Sequence, residues 1–473
     1  MHATEFEAAG KRLVERIAEY LANVSNGRVM PKISREECFA EFANTLGDSG
    51  IGLDRVIGEE FDRIIKHSMA MNHPLYLGLV NSSPWPPAAL GDLLVSIIDN
   101  NNGATHQGPV AASVEREILR ELSERLDYPC DGLFLPGGTF ANLHAMILAR
   151  NIHFPEWETD GPHALKKLPR IYVADGSHLS IVRSAMAAGF GKSSISVIRA
   201  GARGEMLVED LQRAIDEDLQ AGHQPFAVFA TAGATGTGAI DPLSGLANIC
   251  VRHKLWFHVD ACYGGAVGLV PELAHLMDGM NRADSIAIDL HKWLFMPLTA
   301  GIFMTRHADA NRSAFRIAAS YIPDGDYVEA YQRGLPTSRR STPLAVWFAI
   351  RACGWKTLLD HIPRNIKLTR EIEKRLAALG FRVMPGGLLS IACSRWEPDG
   401  VGVDRLNDLQ IAIARRVCDS GQAWFATTIH AGQSWLRLNM VNLYTQSEHL
   451  DTLIDALVEA AGLETAKFAT TQS

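Results

Sequence analysis

Paired cysteines, long apolar runs, basic patches and metal-ligand motifs are all missing from this sequence of 473 residues. Its seven cysteines, at 38, 130, 250, 262, 353, 393 and 418, are odd in number and never spaced C-x-x-C. That argues against a disulfide framework and for reduced thiols in a cytoplasmic protein. No stretch approaches the roughly 20 apolar residues of a bilayer span, so no membrane partner is expected. The opening "MHATEFEAAGKRLVERIAEYL" has acids at once and no uninterrupted apolar core, so it is not expected to be a signal peptide. Lys and Arg total 45 against 53 Asp and Glu, a net charge of −8 with the signs mixed along the chain. Nucleic acid is therefore not an expected partner. Seventeen histidines include no H-E-x-x-H and no paired Cys/His cluster, so no metal is expected.

What is present is the composition of a soluble globular protein, 47% hydrophobic and 21% charged. The length suits a large core domain with smaller lobes. The first 80 or so residues have helical spacing, with Phe6, Val14, Ile17, Leu21 and Val24 near one face of the first helix. Three prolines around Trp85 interrupt that pattern. Short apolar runs then alternate with helical ones. The strand candidates are Leu133–Leu135, Ile171–Ala174, Ile195–Arg199, Phe226–Thr231, Trp256–Val259, Ser285–Ile288 and Gly301–Thr305; Thr139–Arg150, Val208–Gln220 and Leu243–His253 are helical candidates between them. This alternation predicts an α/β fold with a mostly parallel seven-stranded sheet covered by helices on both faces. From about residue 345 a long helical stretch, two strand-like runs and further helices predict a small C-terminal α/β domain. The expected division is 1–85 helical segment, 86–345 large domain and 346–473 small domain.

Ligands bind beyond the C-terminal ends of the strands in such sheets. After successive strand candidates come Pro136-Gly137-Gly138-Thr139, Asp175-Gly176-Ser177-His178, "AGATGTGAID", Asp260-Ala261-Cys262 and Asp289-Leu290-His291-Lys292. Each has an ordinary reading alone: a tight turn, a hydrogen-bonded histidine, a turn-capping aspartate, a small packing cysteine, a snorkelling lysine. "GATGTG" is G-x-x-G-x-G rather than G-x-G-x-x-G and falls late in the sheet, which disfavours a nicotinamide oxidoreductase. The functional case rests on all of these residues reaching one edge. Pyridoxal 5′-phosphate uses the whole set. Lys292 supplies the amine, its pKa expected to be lowered by apolar surroundings. Asp260 would pair with the pyridine nitrogen. Gly138 and Thr139, at a helix N-terminus, would bind the phosphate with His291 nearby, and His178 suits the ring face and the substrate carboxylate.

"HVDACYGG", "ADSIAIDLHKW" and the 32-residue interval from Asp260 to Lys292 resemble the group II pyridoxal-phosphate-dependent amino acid decarboxylases, of fold type I. The resemblance runs from "NHPLYLG" to "SWLRLNMVN", and the tryptophan of "HKW" looks more like the aromatic amino acid branch. It implies that Lys292 forms the Schiff base, Asp260 pairs with the ring nitrogen and His178 stacks on the ring. It further implies that Gly138 and Thr139 bind phosphate, that Thr235 and Cys262 lie beside the cofactor, and that Ser82 touches the substrate carboxylate. A loop tyrosine, Tyr331 or Tyr327, matches the proton donor of the family. A homodimer with active sites at its interface is expected from the same likeness. Asp289 departs from the family, which often has asparagine there; an ionised carboxylate repels phosphate, so it is expected either to turn away or to leave the phosphate held differently. Tyr76 and Trp85, in the apolar stretch "HPLYLGLVNSSPWPP", are candidate substrate contacts and favour an aromatic or apolar amino acid. The rival readings are an aldehyde-forming oxidative decarboxylase or a lyase or transaminase on the same fold, and, from other classes, the nicotinamide enzyme and a non-catalytic binding protein.

Overall fold

The computed structural model describes residues 2–315 and 328–470. The chain forms two compact units. One comprises Val80–Thr369 and Met384–Ile391; the other comprises Met1–Leu79, Arg370–Val383 and Ala392–Ser473.

The first unit is built on seven strands: β1 Asp131–Leu135, β2 Pro169–Ala174, β3 Ile195–Ile198, β4 Gln224–Thr231, β5 Trp256–Asp260, β6 Ser285–Asp289 and β7 Gly301–Thr305. Their order is β1-β7-β6-β5-β4-β2-β3. Only β7 runs against its neighbours, pairing antiparallel with both β1 and β6. β2 pairs in parallel with β3 and β4, and β4–β5 and β5–β6 are parallel too. Every residue of β5, β6 and β7 is buried, which is why these runs read as nearly continuous apolar segments rather than alternating ones. Helices Gly138–His153, Val208–Gln220 and Leu243–His253 fall where their spacing predicts. The long helical stretch after residue 341 is interrupted: Gly354 takes φ 75° and ψ 155° inside Thr342–Leu359, a conformation glycine adopts without a Cβ penalty, and a separate helix spans His361–Ala378.

Because β1, β2, β4, β5 and β6 share one direction, their C-terminal ends emerge on one edge. Register fixes the detail: Thr231 pairs with Asp260, Asp260 with Ala287, and Asp289 with Gly301. Behind β1, a buried ion pair fastens this edge. Arg339 Nη2 donates to Glu115 Oε1 at 2.5 Å and to Phe134 O at 2.8 Å, and its Nη1 donates to Asn102 O at 2.9 Å. Glu115 also accepts from Phe134 N at 2.7 Å and from Asn102 Nδ2 at 2.6 Å.

In the other unit, helix Ala3–Asn23 accompanies a four-stranded sheet of β8 Arg382–Val383, β9 Ile391–Arg395, β10 Ala426–His430 and β11 Gln433–Asn439, ordered β10-β11-β9-β8. Residues 75–77 pair with Trp424 there: Leu77 N donates to Trp424 O at 2.8 Å and Trp424 N to Leu75 O at 3.0 Å. Among the described residues no helix is long and apolar enough to cross a membrane.

Arg339→Ala would strand the Glu115 carboxylate in the interior. Denaturant unfolding should show a loss of about 3–5 kcal/mol; a loss below about 1 kcal/mol would mean the pair is not a fastening.

Candidate active site

Lys292 stands in a tight turn after β6. Its backbone N–H donates to Asp289 O at 3.2 Å, and its carbonyl accepts from Phe295 N at 3.2 Å and from Ser82 Oγ at 2.7 Å. Phe295 is held at φ 58°, a left-handed conformation that a bulky residue rarely takes. The apolar residues after the lysine anchor this turn. Trp293 stacks on Tyr263 with ring centroids 5.0 Å apart and donates to Asn365 Oδ1 at 3.0 Å. Tyr263 in turn meets Ser390 Oγ at 2.5 Å. Ser82 thus touches the lysine's own backbone, and Trp85 follows it closely: its N–H donates to Phe295 O at 2.7 Å and its ring meets His361 edge-on at 5.1 Å.

The Lys292 side chain is only 15% exposed, and its Nζ lies 3.1 Å from Asp289 Oδ2. Burial pulls the lysine pKa down, but the carboxylates of Asp289 and Asp260 push it up and prevail, so it stands above the ordinary lysine value. The expected lowering by apolar surroundings is therefore overturned, because the nearest polar neighbour is a buried carboxylate. Asp289 does not turn away from the glycine-rich corner. A Cβ built on Gly138 would lie 2.8 Å from Asp289 Oδ2 and 2.3 Å from Cys262 Sγ. Asp289 is 3% exposed, and its Oδ1 has no hydrogen-bond partner among the described residues. His291 accepts Ala300 N–H on Nδ1 at 3.1 Å, which places its proton on Nε2, 3.7 Å from Asp289 Oδ2. Burial lowers the His291 pKa.

Gly137, at φ 87°, makes the sharp entry to helix Gly138–His153. Its missing Cβ would sit 3.5 Å from His291 Cε1. The glycines thus leave backbone rather than side chain at this corner, at a helix start whose N–H groups have no intrahelical partners. Thr139 is exposed in the first turn.

Asp260, at the end of β5, accepts from Asn142 Nδ2 at 2.8 Å and from Cys262 N at 3.2 Å. Burial resists its ionisation, but the Lys292 charge and these donors outweigh it and hold the pKa below the usual aspartate value. Burial keeps the Cys262 thiol protonated by pushing its pKa well up. His178 is half-buried, with its pKa lowered first by burial, so the ring is neutral at pH 7. Its Nδ1 lies 2.7 Å from Ser180 Oγ.

Asp289 thus links Lys292, His291 and Cys262. Cys262 N is bonded to Asp260, Ser82 to the Lys292 backbone, Gly138 lies beside Cys262 and Asp289, and His178 is tied to Asp260 through Ser180 and Asn142. Thr235 lies half-buried in the turn closed by Gly238 N and Ala234 O at 2.7 Å. This same turn is "GATGTG": it folds back on itself and opens no helix, unlike a dinucleotide loop. Tyr76 belongs to the other unit, where its ring stacks on Trp424 at 5.4 Å. Tyr331 is half-buried in a short 3₁₀ turn, its N–H donating to Gly103 O at 2.9 Å. Tyr327 lies outside the described residues. Sequence reasoning missed Asn142, Ser180 and His258. The signals were spacing: Asn142 is one helical turn after Gly138, and His258 is two residues before Asp260 on the same strand face.

An amine, a paired carboxylate, a neutral histidine and a glycine-rich helix start fit pyridoxal 5′-phosphate; the Asp289 charge is the one feature at odds with a phosphate. Such a fold and site define a cofactor enzyme that works on primary amines. A model of the pyridoxal-dependent decarboxylase conserved domain matches residues 52–384. Mouse cysteine sulfinic acid decarboxylase is 35% identical over 323 residues, covering 66% of this chain and 65% of that enzyme. The aromatic-L-amino-acid decarboxylase of Bacillus atrophaeus is 26% identical over 459 residues, 95% of this chain and 94% of that one. A crystal structure of mouse CSAD in apo form superposes with a TM-score of 0.90 at 26% identity, covering 97% and 99% of the two chains. The chain belongs to the pyridoxal-dependent decarboxylase family. It is a pyridoxal-5′-phosphate-dependent carboxy-lyase acting on an amino acid.

An amine attacks an aldehyde only when unprotonated, so the raised Lys292 pKa makes cofactor capture by the empty protein accelerate as pH rises past neutrality. Asp289→Asn removes the neighbouring charge. Stopped-flow absorbance should then show the rate profile moved at least about one pH unit lower, roughly tenfold faster capture at neutral pH. An unmoved profile would mean that Asp289 does not govern the amine.

Proposed function

We propose that this chain decarboxylates an L-amino acid with an aromatic or other apolar side chain, releasing CO₂ and the amine. The observation that carries the reaction is the Lys292 ammonium 3.1 Å from Asp289 and coupled to an ionised Asp260. When bound, pyridoxal phosphate supplies an aldehyde carbon for amines and a ring that takes up the electron pair left by departing CO₂. Lys292 would hold that aldehyde carbon and be displaced by the substrate amine. Asp260 would hold a proton on the ring nitrogen. Gly138, Thr139 and His291 would hold the phosphate. His178, neutral at pH 7, would donate a ring N–H to the substrate carboxylate.

Amine rather than aldehyde formation requires a proton donor at the substrate carbon. Tyr331 and Tyr327 are the candidates, and either would serve through its phenol. The apolar preference is supported by the aromatic group beside the lysine turn, where Trp85 and Phe295 both meet the His361 ring, at 5.1 and 5.5 Å. The likeness to cysteine sulfinic acid decarboxylase favours a second reading, an acidic side chain. Helix Pro86–Ile98 exposes Leu90, Leu93, Leu94 and Ile97. Apolar residues so grouped support a homodimer, and the free cysteines support a reducing, cytoplasmic setting.

A screen of amino acids for CO₂ release, with the cofactor added, should give its highest kcat/KM with an aromatic substrate and no O₂ consumption. Release confined to cysteine sulfinate or other acidic substrates would overturn the apolar reading. Aldehyde with ammonia and O₂ uptake would overturn the amine reading. Leu93→Asp with Ile97→Asp should halve the mass seen by light scattering; an unchanged mass would place the subunit contact elsewhere.

A further inference from the structure

A buried hydrogen-bond chain runs behind the cofactor site, and its donors and acceptors can be assigned one by one. Trp256 Nε1 can only donate, and it does so to Ser285 Oγ at 3.1 Å. The Ser285 hydroxyl, 2.8 Å from His258 Nδ1, is then free to donate to it. His258 Nε2 therefore carries the ring proton and donates to Asn142 Oδ1 at 2.9 Å. The Asn142 amide spends its two N–H groups on Asp260 Oδ2 at 2.8 Å and Ser180 Oγ at 2.9 Å. Ser180, having accepted, donates its hydroxyl to His178 Nδ1 at 2.7 Å, and its backbone N–H approaches the same nitrogen at 3.3 Å. His178 is left with its proton on Nε2. Asn142, Ser180, His258 and Ser285 are all buried.

No other orientation of Asn142 satisfies this chain. Turning the amide over would set its oxygen against the Asp260 carboxylate and its NH₂ against His258 Nε2–H. Burial holds His258 neutral, its pKa lowered to about 4, so only one of its ring nitrogens carries a proton.

We propose that Asn142 is a positioning residue for the decarboxylation. Its single amide ties the carboxylate of Asp260 to the tautomer of His178, so that the acid at the ring nitrogen and the donor at the ring face are set together. Asn142 touches neither substrate nor reacting atoms; it acts through Asp260 directly and through Ser180 on His178. The inference rests on the cofactor site described above.

The test uses the protein with pyridoxal phosphate, and variants Asn142→Asp, Asn142→Ala and Ser180→Ala. Asn142→Asp keeps the shape but sets a carboxylate 2.8 Å from Asp260 Oδ2, where two like charges cannot both ionise. Other titratable groups face these residues: Lys292, His258 and Cys262 around Asp260, and Lys292, Asp289 and Arg183 around His178. They remain in every variant, so changes report on Asn142. Pyridoxal phosphate affinity, measured by fluorescence on the cofactor-free protein, should fall about tenfold or more in Asn142→Ala. The pH midpoint of the bound-cofactor absorption band should move by about one unit in Asn142→Asp. Ser180→Ala should alter kcat/KM and its pH profile in the otherwise unchanged chain, yet add nothing in the Asn142→Ala background. Affinity within twofold, an unmoved band midpoint in Asn142→Asp, or additive effects of Asn142→Ala and Ser180→Ala would each overturn the assignment. A parent protein that takes up no pyridoxal phosphate would overturn the cofactor site itself, and the assignment with it.

Discussion

A buried ammonium held by carboxylates is the interaction on which this candidate active site depends. Lys292 contacts Asp289 at 3.1 Å and lowers the pKa of Asp260 through its charge. Asp260 and Asp289 in return keep the lysine protonated in the absence of cofactor. None of the three would be stable alone at this depth, since an uncompensated buried charge is strongly destabilising. The dependence extends outward. Asn142 points its NH₂ at Asp260 only because that carboxylate is an acceptor, and the direction of the whole chain from Trp256 to His178 follows from that choice.

The fold supplies these groups economically because a parallel sheet delivers its strand ends to one edge. β5 carries His258 and Asp260 on one face, and helix Gly138–His153 lies against it with Gly138 at its start and Asn142 one turn in. One helix thereby offers backbone donors at its glycine-rich start and a side-chain amide to Asp260 one turn on. β6 brings Asp289 and, beyond its turn, Lys292, whose backbone is pinned by Ser82.

Much of this was legible in the sequence. The alternation of short apolar runs with helices located all seven strands of the large sheet, because strands buried on both faces are continuous apolar segments. Strand-end logic brought Gly138, His178, Asp260 and Lys292 to one edge of the sheet, and the structure has them there. The protonation state of Lys292 was not legible. Its apolar neighbours in sequence, Trp293 to Met296, pack away into Tyr263 and the turn, while Asp289 is the group that meets the amine. Sequence neighbours give composition, not the direction a side chain takes. The Asn142 chain was hidden for a related reason, since its members lie on helix Gly138–His153, on β5 and β6 and at residues 178–180, and meet only in space. The interruption at Gly354 escaped notice because a single glycine within helical spacing does not reveal its backbone angles.

Lys292 as the amine that takes the cofactor is the central assignment. Borohydride reduction of the protein loaded with pyridoxal phosphate, followed by peptide mapping, measures this. One stoichiometric pyridoxyl group is expected on the peptide containing Lys292, and none in Lys292→Ala. A label on another lysine, or full labelling of Lys292→Ala, would contradict it.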